Sequence, residues 1–423
     1  MSDALAIHAF AGFGIELEYM IVDKHTLAVI PMADELLCME AGAYVSDVSR
    51  GKAGWSNELV KHLVEIKNPS PVPDIAPLVD TFQTEIRYIN RLLAPHNAML
   101  MPSAMHPWMV PSTETKLWDR DDANIYQTFD RIFNCKQHGW ANLQSMHLNL
   151  PFFDDDEFSR LHSAIRLVLP IIPAIAASSP IAEGKSAHFL DYRMEVYRSH
   201  PIKVPSIIGQ VIPETAMTKS QYTEQILSTM YRDIAPLDPE GVLQHEWLNA
   251  RGAIPRFDRN AIEIRVTDLQ ECPQADLAIA SAVIAVVRGI YDNKWATLEQ
   301  QQQFSTERLV QIMHLCIRDA EQAVIEDAAF LALLGFPAAK CEARELWRHL
   351  IEMRVWNKPA HEETEHAALN VILEQGPLAR RILHAIDSDF SHQNLKAVYQ
   401  GLCNSLEAGQ MFCTTSWLRP FNL

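Results

Sequence analysis

Three short stretches, far apart in the chain, have one design: apolar and polar residues alternate, and the polar set consists of acids, imidazole, amide and guanidinium. They are Gly14-Ile15-Glu16-Leu17-Glu18-Tyr19, Met146-His147-Leu148-Asn149-Leu150 and Ile262-Glu263-Ile264-Arg265-Val266. Side chains of a strand alternate between its two faces. Glu16 therefore shares a face with Glu18, His147 with Asn149 and Glu263 with Arg265, while Ile15, Leu17 and Tyr19 point the other way. Any one such strand, alone, reads as an ordinary half-solvated strand. Ordinary solvent faces favour Lys, Thr, Ser and Gln, however, and these hold Glu-Glu, His-Asn and Glu-Arg. If the stretches share a sheet, one polar surface gathers carboxylates, an imidazole, an amide and a guanidinium. Paired carboxylates repel unless a cation sits between them, and hard oxygen ligands with one imidazole suit magnesium or manganese better than zinc.

At 423 residues the chain can bury a large core, in one big domain or two. Its 48% hydrophobic and 21% charged content is that of a soluble globular protein. A net charge of −17 argues against nucleic acid or an anionic membrane as partner, because nothing offsets phosphate repulsion. A local basic cleft remains compatible with ATP. The seven cysteines are scattered, odd in number and without a CxxC pair, which fits reduced thiols in a cytoplasmic protein. The N-terminus lacks a basic start followed by an apolar run, so no signal peptide is expected. Leu167 to Ala177 is too short, and too rich in proline, to span a membrane.

The pattern predicts a strand over Phe13–Val22, an amphipathic helix over Asp74–Pro95 and a short strand over Met99–Ser103. Helices follow over Tyr126–Gly139, over Asp155–Ser178 with breaks at Pro170 and Pro173, and over Pro273–Asn293. Beyond Trp295 no strand is expected. Leu298–Asp327, Cys341–Val355, Glu362–Glu374, Leu378–Ile386 and Asn394–Ala408 all read as helices. The expected organisation is a sheet-bearing domain over residues 1–295 and a helical C-terminal region over 296–423 packed on it.

Two tempting motifs fail. Gly184-Lys185-Ser186 lacks the glycine that a phosphate-binding loop needs, since Ser179 stands there. His361 and His366 are five apart, so a helix turns them to different faces, unlike the pair of a zinc-protease motif.

In order along the chain stand Gly14-Ile15-Glu16-Leu17-Glu18, Leu63-Val64-Glu65-Ile66, Met105-His106-Pro107, Met146-His147-Leu148, Ala177-Ser178-Ser179-Pro180 and Ala261-Ile262-Glu263-Ile264-Arg265-Val266-Thr267-Asp268. This series resembles the type 2 glutamate–cysteine ligases and related bacterial carboxylate–amine ligases over about residues 13–295. The resemblance implies an α+β, glutamine-synthetase-like fold: a curved antiparallel sheet with flanking helices, holding ATP, metal ions and an acyl acceptor on its concave face. It implies that ATP phosphorylates a carboxylate such as that of glutamate, and that an amine such as cysteine attacks the acyl phosphate. Metal-site roles then fall on Glu16, Glu18, Glu58, Glu65, His147 and Glu263, with Mg2+ or Mn2+ as the ion. Arg265 matches the arginine on the transferring phosphate, and Arg193 a nucleotide- or phosphate-binding one. With Glu263, Arg265 forms the expected catalytic pair.

The chain departs from many relatives at Asn149, where they have a second histidine, and at Glu58, where they often have Asp. Glu58 and Glu65 are seven apart and reach one face only if a bulge or turn intervenes. Arg193 reads equally as a surface salt-bridge residue, His106 as a hydrogen-bonding loop histidine, and Tyr192 and Arg198 as members of a polar loop. The resemblance implies a monomer or homodimer acting on small molecules. Two further functions stay open: a non-catalytic nucleotide- or metabolite-binding protein of the same fold, and a guanidino kinase, which the lack of an arginine cluster disfavours.

Overall fold

The computed structural model describes residues 6–352 and 361–413, the side chains of 361–364 excepted. The alternating stretches become neighbours in one antiparallel sheet. Its strands are β1 (Gly14–Asp23), β2 (Asp47–Arg50), β3 (Ala53–Asn57), β4 (Leu63–Lys67), β5 (Ala98–Met101), β6 (Ser145–Pro151), β9 (Ala253–Arg256) and β10 (Ala261–Asp268). The order is β2-β3-β4-β1-β6-β10-β9, with β5 paired to the end of β1 over Met20–Asp23. A separate hairpin joins β7 (Ile181–Ala182) to β8 (Lys185–Ser186). The two residues at its tip, Glu183 and Gly184, have positive φ. The Gly-Lys-Ser triplet is thus a hairpin turn.

The apolar set of β1, Ile15, Leu17, Tyr19 and Ile21, is fully buried. It belongs to one core with Phe82, Ile86 and Ile89 of the helix Leu78–Leu93 and with Leu277, Val283 and Val287 of the helix Pro273–Tyr291. The latter helix is long and apolar enough to cross a membrane, but it is mostly buried and packs on the helices Leu78–Leu93, Asp155–Val168 and His361–Gln375. The same core continues past residue 295 through Leu309, Met313, Trp347 and Leu350. Burying each such side chain contributes about 1.5–3 kcal/mol, so the polar face of the sheet rests on a rigid floor.

The predicted elements need local corrections. The helix expected from Asp74 starts at Leu78, because Asp74 accepts a hydrogen bond from Ala76 N in a turn and Pro77 takes the N-cap position. The helix expected over 126–139 runs from Ala123 to Phe133 and stops at Asn134, which is left-handed; a short helix, His138–Ala141, follows. The segment Asp155–Ser178 breaks where its prolines stand, into Asp155–Val168, a 3-10 turn Leu169–Ile171 and Pro173–Ala176. Leu298–Asp327 is two helices, Leu298–Gln303 and Thr306–Asp319, because Ser305 caps the second by accepting from Arg308 N. The region expected to lack strands holds β11 (Val324–Ile325) paired with β12 (Cys341–Glu342). The helix expected over Cys341–Val355 is described as Ala343–Glu352, and its last three expected residues lie outside the described ones.

Candidate active site

The register of the sheet assembles the site. Glu16 lies opposite His147 across the β1–β6 pair, Glu18 opposite Glu65 across β1–β4, Ser56 opposite Glu65 across β3–β4, and Glu263 opposite Asn149 across β6–β10. Every one of these side chains therefore faces the same side. Glu58 follows β3 in the connection to β4, so the turn between the strands of a hairpin separates it from Glu65 and brings both to this face.

His147 is the hub. Its Nδ1 is 3.0 Å from Glu16 Oε2 and 3.7 Å from Glu263 Oε1, and its Nε2 is 3.6 Å from Glu18 Oε1. Ligand atoms of Glu16, His147 and Glu263 lie within 4.8 Å of one another, and so do those of Glu18, Glu65 and His147. Two acid-rich sets thus share one imidazole, and Glu58 belongs to neither. Carboxylate oxygens with a single nitrogen are the donor set of a hard divalent cation, so these residues fit magnesium or manganese.

The electrostatics follow from crowding. Burial disfavours the charged imidazole, yet Glu18, Glu16 and Glu263 around it raise the pKa of His147 to about 9. Burial pushes the Glu16 carboxyl up, but its hydrogen bond to His147 brings it below the ordinary range. For Glu263, Arg265 and His147 outweigh burial in the same way. For Glu58 the balance is reversed, because the Lys67 ammonium is outweighed. Burial, Glu18 and Glu65 hold its carboxyl well above the usual range, and among the described residues its oxygens have no hydrogen-bond or ion-pair partner.

Supporting residues that the sequence did not single out complete the site. Ser145 donates from both N and Oγ to Glu18 Oε2, at 2.6 and 2.8 Å. It begins β6 with the parity of His147, which could have revealed it. Lys67 Nζ donates to Glu65 Oε1 at 2.9 Å and to Ser56 Oγ at 2.7 Å, and Ser56 Oγ donates to the same carboxylate oxygen at 2.7 Å. Arg256, from the edge strand β9, is 3.4 Å from Glu263 Oε2. Asn149 donates to Glu16 Oε1 at 3.1 Å and thereby orients that carboxylate.

Arg265 donates from Nε to Glu263 Oε1 at 2.9 Å. It stands in a β-bulge, where the β6–β10 register shifts between Ile264 and Thr267 while Arg265 N still bonds Gly252 O at 3.0 Å. A bulge re-aims a side chain next to a site. Arg193, from the helix Tyr192–Tyr197, is almost completely buried. Its Nε donates to Asp268 Oδ1, and its Nη atoms are 3.3 and 3.4 Å from Arg265 O. Asp268 Oδ2 also accepts from Ser178 N and Ser179 Oγ, both at 2.8 Å. The Ser178-Ser179 and Thr267-Asp268 segments thus meet Arg193 at one buried carboxylate, behind the bulge that aims Arg265. His106 is buried, with Nε2 2.7 Å from Leu27 O and Nδ1 accepting from Met109 N at 2.9 Å, so it fixes a loop. Arg198 pairs with Glu195 at the surface.

A cavity of about 810 Å³, counting its open mouth, borders this cluster. Its lining includes Glu18, Glu58, His147, Arg193 and Arg265 together with the aromatic residues Phe129, Trp140 and Trp247.

The arrangement can be set against known proteins. A family model described as glutamate–cysteine ligase family 2 matches residues 12–400. The chain belongs to glutamate–cysteine ligase family 2. It is 31% identical over 402 residues to an uncharacterized protein of Archaeoglobus fulgidus, covering 94% of this chain and 99% of that one. It is 25% identical over 300 residues to a Bradyrhizobium sp. (strain ORS 278) protein provisionally named glutamate–cysteine ligase 2, covering 66% of this chain and 62% of that one. The fold is similar to that of the glutamate–cysteine ligase of Francisella tularensis, solved in complex with AMP, with a TM-score of 0.59, 13% identity and coverage of 94% and 91%. The fold is glutamine-synthetase-like, as the series of motifs implied. Membership makes the chain a ligase of the carboxylate–amine class.

Proposed function

We propose that this ligase uses ATP to join the side-chain carboxylate of glutamate to a primary amine through an acyl phosphate, in the cytoplasm. The observation that carries the proposal is the pair of acid-rich sets sharing His147, with Arg265 at their edge. Cysteine is the acceptor that the family's name carries. Seven free thiols support the cytoplasmic assignment.

Glu16, Glu18, Glu65, His147 and Glu263 would hold magnesium or manganese. When bound, the ion neutralises phosphate oxygens and holds attacking and leaving groups in line. His147 must give up its proton to act as a ligand. Arg265 presents a planar fork to the equatorial oxygens of the transferring phosphoryl group. Arg193 holds the Arg265 carbonyl, and so acts as a positioning residue. The amine nitrogen then bonds to the acyl carbon, the carbon–oxygen bond to phosphate breaks, and phosphate leaves with the electron pair. The amine's proton goes to Glu58, the acid without a partner that faces the cavity.

The test is to incubate the protein with ATP, magnesium, glutamate and a panel of amines, and to follow ADP and amide. Amide and ADP in equal amounts support the proposal. Nucleotide binding without turnover would make the chain a binding protein, and a phosphorylated guanidine would make it a kinase.

A further inference from the structure

The cavity lining combines acids with a group of aromatic side chains. Glu58 is an acid of its lining whose carboxylate has no hydrogen-bond or ion-pair partner among the described residues. The same lining holds a continuous aromatic cluster: Phe129 is 5.4 Å from Trp140 and 5.8 Å from Trp247, centroid to centroid, and Trp140 is 4.3 Å from His200. Leu59, Leu63 and Ile207 fill the space around it. Gly139 makes this closeness possible, because a Cβ there would sit 2.7 Å from His200 Cβ.

What the lining lacks is equally informative. Its two guanidinium groups have other tasks: Arg193 pairs with Asp268, and Arg265 pairs with Glu263 and, in the reaction proposed above, takes the transferring phosphoryl group. Of its two histidines, His147 is enclosed by carboxylates, and His200 uses Nδ1 on Tyr197 O and is held neutral by burial, its pKa lowered to about 4. An amino-acid acceptor brings a carboxylate that needs a cation, and a buried unpaired carboxylate is costly. An ammonium group on an apolar body needs an acid and aromatic faces, which the cavity supplies. A nucleobase would also suit the aromatic wall, and the titration below separates the two occupants.

We infer that the cavity binds, as acyl acceptor, a primary amine with an apolar or aromatic body and no carboxylate, its ammonium on Glu58 and its body on the wall of Phe129, Trp140 and Trp247. The inference depends on the ligase reading for the word acceptor, but its binding chemistry stands apart from turnover.

Calorimetric titration of the full chain separates the two, with matched pairs that differ by one carboxylate: phenethylamine against L-phenylalanine, and cysteamine against L-cysteine. Each is titrated with and without a non-hydrolysable ATP analogue and magnesium. The expected result is at least tenfold tighter binding of the amine in both pairs. Trp247→Ala should weaken phenethylamine binding at least tenfold and leave that of the analogue unchanged. Equal or tighter binding of the amino acids, or no binding of any of the four, overturns the inference. So does a Trp247→Ala variant that loses the analogue and keeps phenethylamine, since the wall would then hold the nucleobase. Amine binding as expected, without amide formation from ATP and glutamate, overturns the ligase reading and leaves the cavity assignment intact.

Discussion

His147 touches carboxylates from two neighbouring strands, so the metal-free protein keeps a proton where a divalent ion would sit. Its folded pKa, about 9, lies above the ordinary 6.5. The stabilisation from that proton is complete below about pH 6.5 and disappears as pH rises through about 9. Urea midpoints of metal-free protein should therefore fall across that window, and magnesium should reverse the fall, because binding requires the deprotonated ring. A flat profile would remove His147 from the centre of the cluster. Replacing Glu16 or Glu18 with Gln keeps the strand's buried face and removes ligand charge. Divalent affinity measured by titration should drop by at least about tenfold and ligation should cease, with little change in thermal midpoint. Full activity in either variant at saturating magnesium would contradict the assignment. Arg265→Lys retains charge and loses the fork. Turnover should fall on the order of 10²-fold with a smaller change in the Michaelis constant for ATP. The reverse split would make Arg265 a binding group only. At this scale the sequence was legible wherever alternation exposed a residue: Glu16, Glu18, His147, Glu263 and Arg265 all meet. Ser56 and Arg256 were not legible, because only strand register puts them beside acids of other strands, whereas Lys67 shares its face with Glu65 of the same strand and alternation could have found it.

β10 carries both an acid of the cluster and the arginine, which alternation keeps on one face, and its register against β6 shifts in a bulge between Ile264 and Thr267. The bulge depends on Gly252, whose carbonyl accepts from Arg265 N. A Cβ on Gly252 would approach Val266 Cγ1 to 2.5 Å and Val211 Cγ1 to 3.0 Å. Gly252→Ala should cost about 1–3 kcal/mol in urea unfolding through overpacking. It should also reduce turnover more than the Arg265-independent binding of magnesium does. Unchanged stability would mean that the bulge has room to shift. Long periodic elements were readable because their signal accumulates over many residues: the helix Leu378–Ile386 matches its expected bounds, and Pro273–Tyr291 falls two residues short. The β3–β4 hairpin and the β11–β12 pair were not readable. Two-residue strands have no period, and a strand such as Ala53-Gly54-Trp55-Ser56-Asn57 is defined by its neighbours. Helix interruptions at Ser305 and Asn134 were missed because a capping serine or a left-handed asparagine competes locally with an otherwise continuous apolar pattern.

Across the whole molecule, one core underlies the entire sheet and extends beyond residue 295. That rigidity matters because phosphoryl transfer demands positioning more than covalent help. The acids come from β1, β4, β10 and the β3–β4 connection and the imidazole from β6, segments separated by up to about 245 residues in sequence. No local change can therefore reproduce the cluster. The central claim is that a carboxylate is activated by the γ-phosphoryl group of ATP. Glutamate labelled with oxygen-18 in its side-chain carboxylate, incubated with ATP, magnesium and an accepted amine, tests it directly. One labelled oxygen should appear in the released phosphate, with ADP as the nucleotide product. Label in AMP, with pyrophosphate released, would mean adenylation and contradict the role given to Arg265 and the acid-rich sets.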